Sequence, residues 1–512
     1  MQKQWVVPLV AFASLACTAE APPEPSAPPA AATSPYAAYV LLVESPSGEA
    51  VPFARVVVDD GDPCPRLSGG DVPIATARRL DPHGFAVDVC EAVVPWGRAL
   101  GVDGSGLVLP AAHRRVTSVA VFGDTGCKPD DQQGCGLDDP EWPFARLAAA
   151  AAAESPDLVL HVGDYNYRGT PSHFDREENG EQVKVWYYDG GDGTEPSEMC
   201  GVPGPYYSQN STGNPDADTW QAWWLDFFQP AAPLLAAAPW VAARGNHELC
   251  SHAGPGWLFF LGPGSQLVEG GGAQAACPSQ DGEGPAPPHL VFVPPQVIAL
   301  DGLTIALVDN ANACDELPNF SDRYAAQLGE VDARLTAAGV GADDQVWFAG
   351  HRPVWGVDGT SAGPPYGCDG KPTSGPAQPY DVLNVTLQCA FASPSGAALL
   401  PKLDLSIAGH MHRFEQLSWS AGAQRPPQLV AGNGGVAEET DPPVGRFAQT
   451  VDGEAASGYT VDEFGFVLMR RGDDGAWSGA VVTPDPAAWD GLLPACGTEG
   501  EGGGVLCVEG SG

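Results

Sequence analysis

Five apolar segments of this chain end in the same way, with a glycine followed by a residue that is able to bind a metal ion. Glycine lets the backbone turn sharply at the end of a strand, so that the next side chain points into a crevice. A single pair of this kind occurs by chance in 512 residues, whereas five in series indicate one shared site. The five residues are Asp124, Asp164, Asn246, His351 and His410.

The segments around these residues alternate in the manner of an α/β fold. A strand pattern at 119–122 precedes a strongly helix-forming run at 144–153, and a second strand pattern follows at 158–162. Further strand patterns cover 303–309, 345–349 and 404–408. Because ligands gather at the carboxyl ends of the strands in α/β sheets, we expect the five residues to converge there.

The region before the α/β pattern has a different texture. Residues 38–115 carry short β-like runs separated by Gly and Pro turns, which predicts a small all-β domain. Cys64 and Cys90 are its expected disulfide. We expect the α/β domain to span 116–480, and residues 481–512 to form a disulfide-bearing C-terminal tail.

The first 17 residues are typical of a secretory signal, because an apolar run ends in small residues. The sequence SLAC at 14–17 resembles a degenerate bacterial lipobox, which predicts lipidation of Cys17. The alternative is ordinary cleavage near Ala16 or Ala19, with Cys17 discarded. Residues 18–37 are rich in Pro and Ala and predict an extended linker. Either route predicts export, as an outer-surface or periplasmic lipoprotein or as a secreted protein.

Twelve of the thirteen cysteines remain when Cys17 is set aside. They are scattered through loop-like sequence and predict six disulfides formed in an oxidising compartment. A structural zinc site needs cysteines about two to four residues apart, and this pattern does not occur. Loop length favours three near pairs: Cys127–Cys135, Cys368–Cys389 and Cys496–Cys507.

The charge of the chain excludes some partners. With 64 acidic and 24 basic residues the formal net charge is −40, and this field repels nucleic acid and anionic lipid. No apolar run after the leader reaches the length of about 18 residues that a membrane span needs. We therefore expect no nucleic-acid coating role, and contact with a membrane only through an N-terminal lipid anchor. The oligomeric state stays open.

The strand-end motifs together carry a resemblance to a known family. They are GDTG at 123–126, GDYNY at 163–167, GNHE at 245–248, AGHRPVW at 349–355 and GHMH at 409–412. In these motifs the chain resembles the calcineurin-like metallophosphoesterases and, within them, the purple acid phosphatases, over residues 116–480. The resemblance implies a four-layer α/β/β/α sandwich preceded by the small all-β domain.

The resemblance also implies two sets of metal ligands. The broader superfamily begins with Asp-x-His, but Gly126 stands where that histidine would be, and Tyr167 follows the second aspartate by three residues, as in the purple acid phosphatases. The first implied set is Asp124, Asp164, Tyr167 and His412. The second is Asp164, Asn246, His351 and His410, with Asp164 bridging the two ions.

The ligand chemistry favours particular metals. A tyrosine with its ordinary pKa of about 10 is ionised most readily by a trivalent ion, so Fe(III) suits the first set. Two imidazoles, an amide and a shared carboxylate suit Zn, Mn or Fe(II) in the second. We therefore expect a dinuclear centre of Fe(III) with one of these divalent ions.

Other polar residues flank the motifs. His247 resembles the family's substrate-facing histidine, placed to stabilise the transition state or to protonate the leaving group, and a purely structural role is the alternative. Glu248 is expected to orient it. We expect Asn246, His247 and Arg352 to contact substrate, although Arg352, like Arg244, is equally compatible with a surface ion pair.

These expectations define a function and its rivals. We expect an exported phosphatase that hydrolyses phosphate monoesters of small molecules by attack of a metal-bound hydroxide. One alternative is a phosphodiesterase or nucleotidase of the same fold. The other is an inactive surface binding protein with a phosphatase-like domain. The Gly-rich loops at 177–213 and 262–288 are expected to set the substrate.

Overall fold

The structure is a computed structural model of the 512-residue chain. It describes residues 34–70, 72–81, 83–129, 133–168, 173–178, 181–186, 218–250, 252–264, 277, 291–315, 317–340, 344–357, 367–371, 381–420, 422–437, 445–484, 494–499 and 504–509. The predicted leader, Cys17 and most of the two Gly-rich loops lie outside these residues.

Seven α-helices are described. They are α1 (Phe144–Ala153), α2 (Trp220–Trp223), α3 (Gln229–Ala237), α4 (Gly254–Phe260), α5 (Ser321–Ala337), α6 (Val385–Phe391) and α7 (Pro394–Leu399). A π-helical turn at Trp224–Phe228 joins α2 to α3, and 3₁₀ turns lie at Asn246–Glu248 and Leu400–Lys402. Among the described helices, none has both the length and the hydropathy to cross a membrane.

The strands of the described residues fall into two large sheets and three small ones. They are β1 (Ala37–Glu44), β2 (Ala50–Asp59), β3 (Arg66–Ser68), β4 (Ile74–Ala75), β5 (Ala77–Arg78), β6 (Val87–Val93), β7 (Leu100–Val102), β8 (Val108–Leu109), β9 (Ser118–Phe122), β10 (Leu158–His161), β11 (His173–Glu178), β12 (Glu181–Trp186), β13 (Trp240–Ala242), β14 (Gln296–Leu300), β15 (Leu303–Leu307), β16 (Gln345–Ala349), β17 (Trp355–Val357), β18 (Asp381–Leu383), β19 (Leu405–Ala408), β20 (Phe414–Trp419), β21 (Gln428–Ala431), β22 (Gly445–Val451), β23 (Glu454–Val461), β24 (Phe466–Arg471), β25 (Trp477–Val482), β26 (Pro494–Glu499) and β27 (Gly504–Glu509).

The first large sheet has eleven strands in the order β27-β26-β25-β24-β9-β10-β13-β1-β2-β6-β5. Its centre is parallel, because β10 pairs in parallel with both β9 and β13, and β13 pairs in parallel with β1. The register places Leu160 opposite both Val121 and Val241. The carboxyl ends of β9, β10 and β13 therefore lie side by side.

The second large sheet has eight strands in the order β14-β15-β16-β19-β21-β20-β23-β22. Strands β15, β16, β19 and β21 are parallel neighbours. In this register Trp347 lies opposite Ile305 and Leu405. The ends of β16 and β19 are adjacent in the same way as those of the first sheet.

Alternation along the strands builds four layers. Val119 and Val121 share one buried cluster with Ile305 and Trp347, so the two sheets face each other. The intervening Ala120 packs on the opposite face, in a cluster with residues of α1, α3 and α4. Helices α5, α6 and α7 pack in the same manner on the outer face of the second sheet. The predicted α/β/β/α sandwich is confirmed.

The N-terminal region is all-β, as predicted, and is linked to the sandwich. The Cys64–Cys90 disulfide is present. Strands β3, β4, β7 and β8 form a separate small sheet, whereas β1 pairs with β13 at Leu41 and Trp240, which carries β1, β2, β6 and β5 into the first large sheet. The sequence pattern of residues 38–115 does not show this pairing, because parallel neighbours are distant along the chain.

Beyond Cys64–Cys90, three more disulfides join described cysteines. Cys127–Cys135 and Cys368–Cys389 are confirmed, and Cys250 pairs with Cys277. Cys314 is also disulfide-bonded. Strands β26 and β27 extend the first sheet from the predicted C-terminal tail and place Cys496 opposite Cys507 in register. The total of six disulfides stays a prediction.

Candidate metal centre

The residues predicted as ligands stand at the carboxyl ends of the parallel strands. In the first sheet, Asp124, Asp164 and Asn246 follow β9, β10 and β13, which are neighbours. In the second, His351 follows β16, and His410 follows the adjacent β19. The ends of the two facing sheets therefore bring these side chains together in one crevice.

One group of donor atoms surrounds the phenol oxygen of Tyr167. Its Oη lies 3.0 Å from Asp124 Oδ1, 3.0 Å from Asp164 Oδ2 and 3.2 Å from His412 Nε2. His412 Nε2 lies 3.8 Å from Asp124 Oδ1. Tyr167, Asp124 and Asp164 are almost completely buried. These four residues are the ones predicted to form the first ligand set, and the structure brings them together.

A second group surrounds Nε2 of His351. That nitrogen lies 2.7 Å from Asn246 Oδ1 and 3.2 Å from Asp164 Oδ2. One ligand atom each from Asp164, His351 and His410 lies within 4.8 Å of the others. Asp164 Oδ2 therefore contacts both groups, as expected of a bridging ligand.

The orientation of the His351 ring shows that the second group fits a cation. Its Nδ1 donates a hydrogen bond of 2.9 Å to the carbonyl of Val162, so the neutral ring has an unshared electron pair on Nε2. That pair faces the oxygens of Asn246 and Asp164, which are acceptors as well. Burial opposes a positive charge here, yet Asp164 raises the pKa of His351 to about 9, so the site stabilises a positive charge at Nε2, whether it is a proton or a metal ion. Oxygen and nitrogen atoms whose unshared electron pairs converge in this way are the ligands that a divalent metal ion binds.

The electrostatics of the first group point the same way. Burial, reinforced by the charge of Asp164, raises the pKa of Asp124 well above its usual range. Burial and the two carboxylates likewise raise the pKa of the Tyr167 phenol well above its ordinary value. A strongly charged cation would reverse both shifts, because it favours the ionised forms.

The backbone at the strand ends is in an uncommon conformation. Asp124, Asp164 and His410 have φ values of 55°, 59° and 74°, in the left-handed region that non-glycine residues rarely occupy. Such strain clusters at functional sites. The sharp turn predicted at the glycines is therefore made by the polar residue itself at Asp124 and His410, whereas at the end of β10 Gly163, with a φ of 110°, shares it with Asp164.

The glycines before the ligands serve mainly to leave space. A Cβ on Gly245 would collide with the carboxylate of Asp164, and a Cβ on Gly409 would collide with Asp124. Gly163, Gly245 and Gly409 must therefore be small because a different candidate ligand packs against each of them, whereas a Cβ on Gly123 or Gly350 would collide with residues that are not candidate ligands. This close approach explains why glycine recurs in the motifs.

His247 lies beside both groups of donors. Its ring packs against that of Tyr167, with 4.1 Å between the centroids, and its amide N–H donates to Asp164 Oδ1 at 2.9 Å. Burial, together with the charges of nearby groups that include His252 and Lys128, lowers the pKa of His247 well below its ordinary value. The half-buried ring thus adjoins the candidate ligands while part of its surface stays exposed.

Glu248 holds the loops that carry the ligands. Its buried carboxylate accepts hydrogen bonds from the amides of Asp164, Tyr165 and Asn166 at 3.0, 2.8 and 3.2 Å. It also accepts one from the amide of Gly245 at 3.0 Å. We expected Glu248 to orient His247, whereas the structure shows it joining the loop after β10 to the loop after β13.

Comparison with known proteins agrees with this arrangement. The sequence model of the calcineurin-like phosphoesterase family (Metallophos) matches residues 117–414, which is more than half of the chain. The chain belongs to this family. This match confirms the superfamily resemblance that the motifs indicated. The activity typical of such a domain is the hydrolysis of phosphoesters.

Two solved structures are similar to this phosphoesterase. One is the purple acid phosphatase PPD1 from seeds of yellow lupin (Lupinus luteus), at 13% identity, covering 88% of this chain and 72% of that chain with a TM-score of 0.49. The other is PhoD, at 12% identity, covering 95% and 94% with a TM-score of 0.46. None of the curated protein sequences matches the chain.

Arg352 and Arg244, the two arginines that flank the motifs in sequence, both form ion pairs. Arg352 is buried and pairs with Asp315, and its Nη1 lies 3.1 Å from His410 Nε2. Arg244 pairs with Asp309 at 2.8 Å and is also buried, so neither ion pair is the surface contact that the sequence left open.

Sequence reasoning missed Asp315. It lies in the loop after β15, beyond the strand end and without a preceding glycine, so the motif pattern does not mark it. Burial opposes its ionisation, but the charges of Arg352 and His410 hold the pKa of this carboxyl well below its usual range. The available signal was weak: an acidic residue next to a cysteine in a loop of this sheet.

Proposed function

We propose that this chain is an exported phosphatase of the purple acid phosphatase type, which hydrolyses phosphate monoesters of small molecules at a dinuclear metal centre. The observation that carries the proposal is Asp164 Oδ2, which lies 3.0 Å from Tyr167 Oη and 3.2 Å from His351 Nε2. A single carboxylate oxygen thus adjoins a phenol-containing donor set and an imidazole-containing one. This pairing supports two neighbouring ions of different kinds.

Each donor set suits one ion. Asp124, Asp164, Tyr167 and His412 would hold Fe(III), because oxygen-rich, ionisable donors favour a hard trivalent cation. The second set would hold Zn, Mn or Fe(II), and it consists of Asp164, Asn246, His351 and His410. When bound, the two ions would polarise the phosphate oxygens and activate the attacking water.

The residues of the chain supply the remaining tasks. His247 would stabilise the transition state or donate a proton to the leaving alkoxide, because its ring packs against Tyr167 and its amide contacts Asp164. The side-chain amide of Asn246 would orient a phosphate oxygen. Arg352 would offset the negative charge of the phosphate, a useful role in a chain with a formal charge of −40.

Export is part of the proposal. Four disulfides join described cysteines, which fits an oxidising compartment. Removal of the leader at Cys17, with lipidation of that residue, would leave the protein anchored by an extended linker. An outer-surface or periplasmic lipoprotein is thus the proposed form, and secretion after ordinary cleavage is the second.

Metal analysis and parallel substrate assays test the function together. The full mature protein, purified without chelators, is expected to hold one iron and one further ion per chain and to hydrolyse an aryl phosphate faster than the matching bis-ester. Faster cleavage of the bis-ester would replace the monoesterase with the phosphodiesterase. Absence of both activities in the metal-loaded protein would support the binding protein instead.

A further inference from the structure

Asp315 contacts two groups of the candidate site that come from different strand ends. Its Oδ2 lies 3.2 Å from Nε2 of His410, which follows β19. The same oxygen pairs with the guanidinium of Arg352, which follows β16. One carboxylate therefore touches both a proposed metal ligand and the cation proposed to bind substrate.

The contact with Asp315 distinguishes the two ring nitrogens of His410. An ionised carboxylate only accepts hydrogen bonds, so the ring proton belongs on Nε2, facing Asp315. Nδ1 then keeps its unshared electron pair. Metal-binding histidines commonly donate their other N–H to a carboxylate or carbonyl, which fixes both the tautomer and the orientation of the ring.

His351 shows the complementary arrangement. It donates from Nδ1 to the carbonyl of Val162, and its Nε2 faces Asp164. A backbone group thus fixes one imidazole of the second ligand set, whereas a side chain fixes the other. Of these two imidazoles, a substitution at Asp315 therefore removes the support of His410 and leaves that of His351 in place.

Arg352 lies beside the same nitrogen of His410. Its Nη1 lies 3.1 Å from His410 Nε2, although two N–H groups that face each other share no hydrogen bond. A common acceptor accounts for the approach, because both groups reach Oδ2 of Asp315. The negative charge of Asp315 offsets the repulsion between the two donors.

Asp315 is itself held in place from the opposite side. The Asn384 side chain, which caps α6, donates a hydrogen bond of 2.7 Å to Asp315 Oδ1. The amide of Val385 donates to the carbonyl of Asp315 at 3.1 Å. Both carboxylate oxygens thus have assigned partners, and the side chain is 25% exposed.

We propose that Asp315 is a positioning residue that holds His410 with Nε2 protonated and Nδ1 presented to the divalent ion, while it keeps Arg352 beside the substrate. This inference rests on the dinuclear centre proposed above. It assigns a role to a residue outside the strand-end motifs.

The test is Zn(II) affinity in the full mature protein whose iron site is already loaded. Asp315→Asn is expected to raise the Zn(II) dissociation constant at least about tenfold, measured by competition with a chromophoric chelator. The iron content should stay at the wild-type level, because Asp315 touches none of the iron ligands proposed above. Asp315→Glu keeps the charge and should recover most of the affinity. This variant still tests the proposal if Asp315→Asn folds poorly.

Asp309→Asn is the matched control. Asp309 follows β15, as Asp315 does, and its carboxylate pairs with a buried arginine, Arg244. Removing this carboxylate should leave the Zn(II) affinity unchanged. Wild-type Zn(II) affinity in Asp315→Asn, or an equal loss in Asp309→Asn, would overturn the assignment of Asp315 alone. A wild-type protein that binds no second ion would overturn the dinuclear centre as well.

Discussion

The backbone N–H of His410 donates a hydrogen bond of 2.9 Å to Asp124 Oδ2. His410 follows β19 of the second sheet, and Asp124 follows β9 of the first. The carboxylate of one candidate ligand is therefore oriented by the backbone of another across the interface between the sheets. The packing of the two sheets, rather than either loop alone, sets the geometry of the centre.

Tyr167→Phe tests the proposed iron site. If the phenolate binds Fe(III), the oxidised wild-type protein is coloured by ligand-to-metal charge transfer, and the variant should lose the colour and hold iron more weakly. Its activity should fall less than that of Asp164→Ala, because Asp164 contacts both donor sets. Visible absorption and metal content measure both effects. A colourless, active wild-type protein with two divalent ions would contradict the purple subtype, although family membership would stand.

His247→Ala separates catalysis from structure. Alanine keeps the amide N–H that donates to Asp164, so both donor sets should be retained. We expect kcat to fall by about 10²- to 10³-fold with unchanged metal content, the usual loss of a proton donor or charge stabiliser. Steady-state kinetics on an aryl phosphate give the result. Loss of metal in parallel with activity would support the structural role instead.

Glu248→Gln is expected to destabilise the fold. The buried carboxylate accepts four backbone N–H groups, whereas the glutamine amide nitrogen would face some of them as a second donor. A buried N–H group left without a hydrogen-bond acceptor costs about 1–3 kcal/mol. We therefore expect a loss of about 2–4 kcal/mol in the free energy of unfolding. Denaturant unfolding measures it.

Glu154→Gln provides the control for that measurement. Glu154 forms an exposed ion pair with Arg470, and such pairs contribute about 0–1 kcal/mol. Equal destabilisation by the two substitutions would mean that the four amide contacts of Glu248 have no special weight.

Gly245→Ala tests the requirement for space in the motifs. The added methyl group would collide with the Asp164 carboxylate, so we expect loss of metal from both sites and at least about a 100-fold fall in activity. Gly106→Ala adds the same group where nothing lies within 4 Å and should leave metal content unchanged. Normal metal content in Gly245→Ala would show that the loop relaxes to accept a side chain.

Asp218 predicts a pH dependence of stability. Burial raises its pKa to about 7, although the Trp223 indole and the Gly256 amide donate to its oxygens. Because the folded-state pKa exceeds the unfolded value of about 3.9, the contribution to stability is complete below about pH 4 and is lost as the pH rises through 7. Asp218→Asn cannot ionise, so its melting temperature relative to the wild type should rise by a few degrees between pH 4 and 8. A constant difference across that range would contradict the raised pKa.

The sequence by itself determined the family and the kinds of residues at the centre. Apolar runs ending in Gly and a polar residue are local patterns, and they locate Asp124, Asp164, Asn246, His351 and His410 at strand ends before any pairing is known. Tyr167 came from the resemblance to the purple acid phosphatases, in which a tyrosine follows the second aspartate by three residues. The α1 helix and the two disulfides predicted from short loops and confirmed in the structure, Cys127–Cys135 and Cys368–Cys389, also depend on nearby residues.

Only the tertiary structure decided which distant groups meet. Strand β1 joins the first sheet beside β13, Glu248 joins two loops instead of orienting His247, and Asp315 reaches His410 from another strand end. These contacts link residues tens to hundreds of positions apart, and local hydrophobic patterns do not encode them. Because the crevice forms where the two sheets pack together, its supporting residues are set by that packing, whereas its ligands follow from the strand-end motifs.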